Sequence, residues 1–296
     1  MFRTVLVCLD GSGLAEQVVP YARMQALQFG SEVHLLRAAE KRPREKSTTG
    51  SEGTEATAYL DTMAESLRKD GIAVTCAAVE GAAGEAILSY ARQHKMGLIS
   101  MATHGRSGLG RAVLGSVASA VLRGSFSPML IIRPRETGAR IPKEIQPVKK
   151  ILVCLDGSRL AEQVIPCAAG QALGFQAHLV LFQVVSGPLD YSPGITGAAP
   201  VENAALGEMT REALNSAKAY LEQIAAPLRR QDIQVNTAAT VGRAGETILG
   251  YAGRHSMDLI AIATHGRSGL GQALYGSVAD HVLRESGLPI LLVRCE

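Results

Sequence analysis

The sequence contains no tryptophan, and aromatic residues make up only 4% of its 296 residues. A surface on which nucleic-acid bases stack needs such rings, so their scarcity argues against a single-stranded nucleic acid as a ligand. The net charge of +3 is also too small for the basic footprint that binding to a phosphate backbone requires. We therefore expect no nucleic-acid partner.

Long apolar runs and a signal peptide are missing as well. No run of about 18 apolar residues occurs, and the segment MFRTVLVCLDGS does not have the pattern of a secretory signal. The five cysteines include no CxxC pair, which predicts free thiols in a reducing compartment. These features predict a cytoplasmic protein with no membrane partner.

Several catalytic and metal-binding motifs are absent. The chain has no GxxxxGK[ST] phosphate loop, no GxSxG nucleophile elbow and no HExxH pair. The GRSGLG segments carry their glycines in the wrong order for a dinucleotide fingerprint. No Cys/His set has the spacing of a structural zinc site. The sequence therefore gives no catalytic residue and no dedicated metal site.

What the chain does contain is the same pair of motifs twice. LVCLDGSGLAEQVVP at 6–20 returns as LVCLDGSRLAEQVIP at 152–166. ATHGRSGLG at 102–110 is repeated without change at 263–271. This repetition predicts a duplicated domain with two related sites.

Each copy has about the size of one ordinary domain. We predict domains at 1–134 and 149–296 and a proline-containing linker at 135–148. In each copy, short apolar runs alternate with helical stretches, which is typical of a three-layer α/β/α sandwich around a five-stranded parallel sheet. The first copy should have strands at 4–10, 33–39, 72–79, 97–102 and 128–133, and helices at 13–29, 58–69, 83–95 and 115–123. The second copy should have strands at 150–156, 178–184, 233–240, 258–263 and 289–294.

Two segments in equivalent places are predicted to be long loops. Residues 40–57 are charged and rich in Ser, Thr and Gly, and residues 186–203 differ from them in length and composition. Such loops are either functional covers or disordered insertions, and the sequence leaves both alternatives open.

The segment after the fourth strand carries the sharpest candidate site. It reads ATHG, nine further residues, then GSV in both copies. Glycines let backbone N–H groups approach a ligand, and the start of a helix offers unpaired donors and a partial positive charge that favour phosphate. The alternative is a tight turn in which the serine is an ordinary N-cap. The residues of this candidate site are Ala102, Gly105, Arg106, Gly108, Gly115, Ser116 and Val117, and in the second copy Ala263, Gly266, Arg267, Gly269, Gly276, Ser277 and Val278.

The motif Asp-Gly-Ser ends the first strand of each copy and opens the first helix. In open parallel sheets, ligands bind beyond the carboxyl ends of the strands where the winding reverses. We therefore expect Asp10 with Ser12, and Asp156 with Ser158, to face the glycine-rich segment across one crevice. There a carboxylate would accept a hydrogen bond from a ribose hydroxyl or help to hold a metal ion. The alternative is that the aspartate is only a helix N-cap.

Two further residue types in these motifs have a simple interpretation. His104 and His265 are expected to be turn histidines bonded to backbone rather than acid–base groups. Cys8 and Cys154 lie in apolar strands, where a cysteine is usually an inert small hydrophobic residue.

These motifs resemble the universal stress protein family in its tandem form. The resemblance rests on the family pattern G-x-x-G-(nine)-G-[S/T], in which Ala102 and Ala263 stand here in place of the first glycine. It implies ATP as the ligand, with Mg²⁺ as a possible companion, and the strand order 3-2-1-4-5. It also implies that four strand-end residues surround the adenine: Ala38 and Val184 through their backbone, and Met101 and Ile262 by packing.

The resemblance also bears on partners. Family members pair through their last strands, so PMLIIR and PILLVR should pair within one chain as a pseudo-dimer, and a homodimer would build on this. The implied function is a nucleotide-dependent regulator in the stress response that acts on an unidentified protein partner. Two alternatives are a weak ATPase or autokinase, and a ligand-free scaffold. Differences beside the motif, such as Arg111 against Gln272, predict unequal affinities of the two sites.

Overall fold

The structure, a computed structural model, describes residues 2–39, 51–103, 114–134, 145–186, 203–264 and 276–295. The chain forms two compact units. Unit 1 comprises Met1–Pro147 and Gly287–Arg294, and unit 2 comprises Val148–Ser286 and Cys295–Glu296. The domain boundaries predicted from the repeat follow the sequence copies rather than these units, and they stay a prediction.

Strands and helices alternate in both units. Unit 1 contains β1 (Thr4–Leu9), α1 (Gly13–Glu16), α2 (Val19–Phe29), β2 (Glu32–Ala39), α3 (Ser51–Arg68), β3 (Val74–Glu80), α4 (Ala83–Gln93), β4 (Leu98–Ala102), α5 (Ser116–Gly124) and β5 (Met129–Ile132). Unit 2 contains β6 (Lys150–Leu155), α6 (Arg159–Glu162), α7 (Ile165–Phe175), β7 (His178–Val185), α8 (Asn203–Arg229), β8 (Val235–Val241), α9 (Ala244–Arg254), β9 (Leu259–Thr264) and α10 (Ser277–Glu285). The last strand of the chain, β10 (Ile290–Arg294), belongs to unit 1.

All ten predicted strands are present, but two predictions about the segments between them are wrong. The helix expected at 13–29 is two helices, and Pro20 lies in the first turn of the second. A proline fits there because the first turn needs no N–H from it, whereas inside a longer helix it would remove a hydrogen bond. The loop expected at 40–57 is helical from Ser51 onward; residues 40–50 lie outside the described residues.

The sheet of each unit places the first strand of the repeat at its centre. In unit 1 the order is β3-β2-β1-β4-β5-β10, and in unit 2 it is β8-β7-β6-β9. The strands of each repeat run parallel, for example Val5 beside both Val33 and Leu98. The predicted tandem α/β class with its parallel strand order is confirmed.

The last strands of the two sequence repeats pair with each other, as the resemblance implied. β10 runs antiparallel to β5, with Ile290 opposite Ile131 and Leu292 opposite Met129. All four side chains are buried. This pairing closes one edge of the sheet of unit 1, so that β5 is not an exposed edge strand.

The central strands are apolar because both of their faces are covered. Leu6 and Val7 on β1 and their equivalents Leu152 and Val153 on β6 have no exposed surface. Parallel strands with helices on both faces give such uninterrupted apolar runs, and only their ends are free for polar chemistry. The functional residues must therefore be sought at the carboxyl ends of the strands.

Candidate functional site

The carboxyl ends of the first and fourth strands of each repeat meet at one edge of the sheet. In unit 1, β1 pairs with β4, with Val7 beside Ser100. In unit 2, Cys154 of β6 lies beside Ile262 of β9. Because the second strand of the repeat pairs on the other side of the first, this edge is the place where the winding reverses. The crevice predicted from the sequence thus has the strand neighbours that it requires.

The acidic turn after β1 is held by its own serine. The backbone N–H of Ser12 donates to Asp10 Oδ1 over 2.9 Å, and the Ser12 hydroxyl donates to the same oxygen over 2.6 Å. The Ser12 hydroxyl also accepts from the N–H of Ala15 over 3.2 Å. Ser12 is therefore the N-cap of α1, and the alternative in which Asp10 is only a helix cap is wrong. The left-handed φ of Gly11, 84°, permits this tight turn.

The equivalent turn in unit 2 has the same form, but its serine donates one hydrogen bond to the carboxylate instead of two. Ser158 N–H donates to Asp156 Oδ1 over 2.8 Å, and its hydroxyl caps α6 by accepting from Ala161 N–H over 3.1 Å. In the described part of unit 2, the serine hydroxyl does not reach the carboxylate. Asp156 is exposed whereas Asp10 is half-buried. The two acidic turns are thus alike in position and differ in hydrogen bonding and exposure.

The helix after the fourth strand begins at the same edge. Gly115 N–H donates to the carbonyl of Thr103, just beyond β4, over 2.9 Å. Gly115 and Gly276 are the N-caps of α5 and α10, and neither helix start receives a side-chain cap. The alternative in which the serine is the N-cap is therefore wrong, because Ser116 and Ser277 are the first helical residues. Val117 and Val278 follow in the first turn, whose N–H groups point out of the helix.

The two helix starts differ in backbone conformation. Gly115 has φ −56° and ψ 151°, which any residue adopts. Gly276 has φ 78° and ψ 137°, a region that favours glycine. The identical residues Gly-Ser-Val therefore present their amides differently in the two units.

The strand-end residues of the prediction are found where the sequence suggested. Ala38 lies near the end of β2, and Val184 near the end of β7. Met101 and Ala102 end β4, and Ile262 and Ala263 lie near the end of β9. Ten residues named in or beside the predicted motifs lie outside the described residues: His104, Gly105, Arg106, Gly108, Arg111, His265, Gly266, Arg267, Gly269 and Gln272.

Sequence reasoning missed a tyrosine that approaches each acidic turn. The Tyr59 hydroxyl of α3 donates to Glu16 Oε1 over 3.1 Å, and burial, then Glu16, then Asp10 raise the pKa of Tyr59 above its usual range. Comparison of the two copies could have revealed this pair, because both the tyrosine and the glutamate recur.

Unit 2 contains the same contact. The Tyr220 hydroxyl donates to Glu162 Oε1 over 3.1 Å. Burial and Glu162 raise the pKa of Tyr220, and the charge of Asp156 adds to the effect. Each acidic turn thus has a protonated tyrosine within electrostatic reach.

Two residue classes that often carry chemistry, the cysteines and the potential metal ligands, show no special chemistry in the described residues. All five cysteines of the chain are free. Burial raises the pKa of Cys8 and of Cys154 to about 12, so both are protonated thiols at neutral pH, as expected of inert residues. Within the described ranges, no three His, Cys, Asp or Glu side chains form a group that could hold a metal ion. No helix in those ranges is long and apolar enough to cross a bilayer.

Both repeats of the chain are similar to known proteins. The model of the universal stress protein family matches residues 1–133 and 147–294. A universal stress protein of Synechocystis is 24% identical over 99% of this chain and 100% of its own length. A universal stress protein of Thermus aquaticus is 30% identical over 45% of this chain and 100% of its own length.

Two solved structures share the fold along the whole chain. A universal stress protein from Archaeoglobus fulgidus has a TM-score of 0.67 at 18% identity and covers 99% of both chains. A protein of unknown function from Pseudomonas aeruginosa has a TM-score of 0.68 at 21% identity, covering 99% of this chain and 93% of its own. Since the family model matches almost the entire sequence, in two successive copies, this chain is a tandem member of the universal stress protein family with a role in the stress response.

Proposed function

We propose that each repeat binds an adenine nucleotide, ATP in the first place, and that the bound nucleotide regulates the action of the protein in the stress response. One observation carries the proposal. In both repeats, an acidic turn and a helix start without a side-chain cap follow neighbouring strands at the edge where the winding reverses. A nucleotide can use both features: its anionic phosphates suit the helix start, and its ribose hydroxyls can donate hydrogen bonds to the acidic turn.

The helix start suits the phosphates. The first N–H groups of α5 and α10 have no partner within the helix, and the helix dipole adds a partial positive charge. A phosphate satisfies both at once. Ser116 and Ser277 are exposed, so a ligand can reach them.

The acidic turn suits the ribose or a metal ion that arrives with the nucleotide. The carboxylates of Asp10 and Asp156 are held in place by the N–H groups of Ser12 and Ser158. Mg²⁺ is commonly held by one or two carboxylates together with the phosphates of the substrate, so one aspartate in each site is compatible with Mg²⁺-ATP. No resident metal is required.

Regulation follows if the nucleotide favours one of two states of the protein. A ligand shifts such an equilibrium only by the difference between its affinities for the two states. An unidentified protein partner would then recognise the nucleotide-bound state. A cytoplasmic location and further dimerisation of whole chains belong to the same proposal.

Calorimetric titration of the full chain with Mg²⁺-ATP tests the proposal. The variant with both Asp10→Asn and Asp156→Asn keeps acceptors for the turn amides but loses both charges. We expect it to bind ATP about tenfold more weakly or worse, as loss of a charged hydrogen bond predicts. Asp61→Asn, on the exposed surface of α3, is the matched control and should bind as the wild type does.

Two results would contradict the proposal. Absence of ATP binding at millimolar concentration would favour a ligand-free scaffold. Equal affinity in the wild type and the double variant would remove the acidic turns from the site.

A further inference from the structure

The residue next to the acidic turn differs between the two units. Arg37 on β2 lies beside Leu9, the last residue of β1. Gln183 on β7 lies beside Leu155, the last residue of β6, in the same register. The two positions are therefore equivalent, and each is one strand away from the start of an acidic turn. The exchange replaces a permanent cation with a neutral amide.

In unit 1 the cation has an aromatic partner. The guanidinium carbon of Arg37 lies 5.3 Å from the ring centroid of Tyr59, whose hydroxyl is bonded to Glu16. Stacking on a ring leaves the N–H groups of a guanidinium available for an anion. Among the described residues, no carboxylate forms an ion pair with Arg37. The side chain is also half-buried, which strengthens its interaction with an incoming negative group.

In unit 2 the amide has an unsatisfied acceptor. The Nε2 of Gln183 lies 3.5 Å from the point where a β-carbon on Gly157 would be, so the amide is next to the acidic turn. Gln183 Oε1 is buried and has no hydrogen-bond partner in the described part of the chain. A buried acceptor without a donor is costly, and a ligand hydroxyl that reached the rotated amide would relieve it.

Position and chemistry together suggest what these residues recognise. In doubly wound sheets that bind dinucleotides, a residue close to the end of the strand beside the first one meets the ribose. By analogy, Arg37 and Gln183 lie two residues before the ends of β2 and β7. A side chain with an acceptor there binds a free ribose hydroxyl, whereas an arginine accommodates a phosphate attached to the ribose. Arg37 and Gln183 are these two kinds of residue.

We propose that Arg37 makes the site of unit 1 selective for an adenosine nucleotide that carries an additional phosphate on its ribose, and that Gln183 makes the site of unit 2 selective for an unmodified ribose. The inference rests on the proposed nucleotide binding and names the ligand class of each site. The charges agree with it. An extra phosphate in unit 2 would meet Asp156 and Glu162 without a cation at the position equivalent to Arg37. Arg159 is exposed and opens α6 rather than ending a strand.

Calorimetry with four ligands tests the inference on the full chain. The ligands are AMP, 2′-deoxy-AMP, adenosine 2′,5′-bisphosphate and adenosine 3′,5′-bisphosphate, and the two bisphosphates show which ribose position is recognised. In the wild type, one site of two should bind one bisphosphate at least about tenfold more tightly than AMP, the gain expected for a charge-assisted hydrogen bond. The other site should bind AMP more tightly than its 2′-deoxy form.

Reciprocal variants provide the decisive comparison. Arg37→Gln should abolish the preference for the bisphosphate and make the site of unit 1 prefer AMP over its 2′-deoxy form. Gln183→Arg should create a second site with that preference and remove the sensitivity to the 2′-deoxy form. Thermal melts of both variants check that the fold is unchanged, and Arg37→Lys, which retains the charge, should keep part of the preference.

The failures can be told apart. Binding of AMP or ATP without any preference for a bisphosphate, or a preference that survives Arg37→Gln, would overturn the inference and leave the proposed function in place. Absence of binding for all nucleotides, ATP included, would overturn both.

Discussion

Replacement of a single glycine by alanine should affect the two repeats unequally, although both glycines precede the same Ser-Val. Gly115 already has φ −56° and ψ 151°, where a β-carbon is tolerated. Gly276 has φ 78° and ψ 137°, where a residue with a β-carbon is strained. A backbone held in such a region costs about 1–3 kcal/mol. We therefore expect Gly276→Ala to lower the free energy of unfolding of unit 2 by about this amount.

Gly115→Ala is the matched control. Alanine is a poorer N-cap than glycine, but it also reduces the freedom of the unfolded chain, which is worth about 0.4–1 kcal/mol. Because these effects oppose each other, the net change should be within about 0.5 kcal/mol of zero. The difference between the two variants thus isolates the backbone conformation of Gly276 from the chemistry of the substitution.

Hydrogen exchange measured by mass spectrometry separates the two units. The amides of α10 should exchange about 5- to 150-fold faster in Gly276→Ala if they exchange through unfolding of the unit, and those of α5 should be unaffected. Gly115→Ala should leave both helices close to the wild-type rates. Equal acceleration of α5 and α10 in their respective variants, or a larger effect in Gly115→Ala, would refute the reasoning.

Three further predictions concern individual side chains. Ser12→Ala and Ser158→Ala should each lower stability by about 1 kcal/mol through loss of an N-cap, with the larger loss for Ser12 because its hydroxyl also binds a carboxylate; thermal melts compare them. Alkylation at pH 8, followed by mass spectrometry, should modify half-buried Cys76 before buried Cys8, whose pKa burial raises to about 12. Burial lowers the pKa of His34, so stability should fall as the pH drops below about 6.5, and His34→Val should flatten that dependence in melts between pH 7 and 5.

The regular part of the fold could be predicted because local pattern determines it. Short, β-branched apolar runs such as that around Leu6 favour strands covered on both faces, and their repetition in the second copy strengthened this prediction. The division of the first helix at Pro20 was also visible in principle, since proline is tolerated in a first turn and not further inside. The helix predicted at 58–69 begins earlier, at Ser51, and its first residues were missed because their polar side chains and glycine resemble a loop.

The candidate site could be predicted only in its local components. Asp10 and Ser12 are two residues apart, so their turn follows from short-range chemistry. Tyr59 and Glu16 are separated by 43 positions, so neither segment predicts their hydrogen bond by itself, and only the recurrence of both residues in the second copy points to it. The Gly-Ser-Val segments show the opposite limit. Gly115 and Gly276 precede the same residues but have different backbone conformations, so residues outside the motif must determine the conformation.

The assignment of β10 to unit 1 has a consequence for biosynthesis. The amino-terminal half of this protein emerges from the ribosome long before Ile290–Arg294, the strand that pairs with β5, has been made. Until Ile290–Arg294 have been made, the nascent first unit carries an unpaired sheet edge that can attract other chains. A premature stop codon before Ile290 should therefore destabilise the unit that was synthesised first.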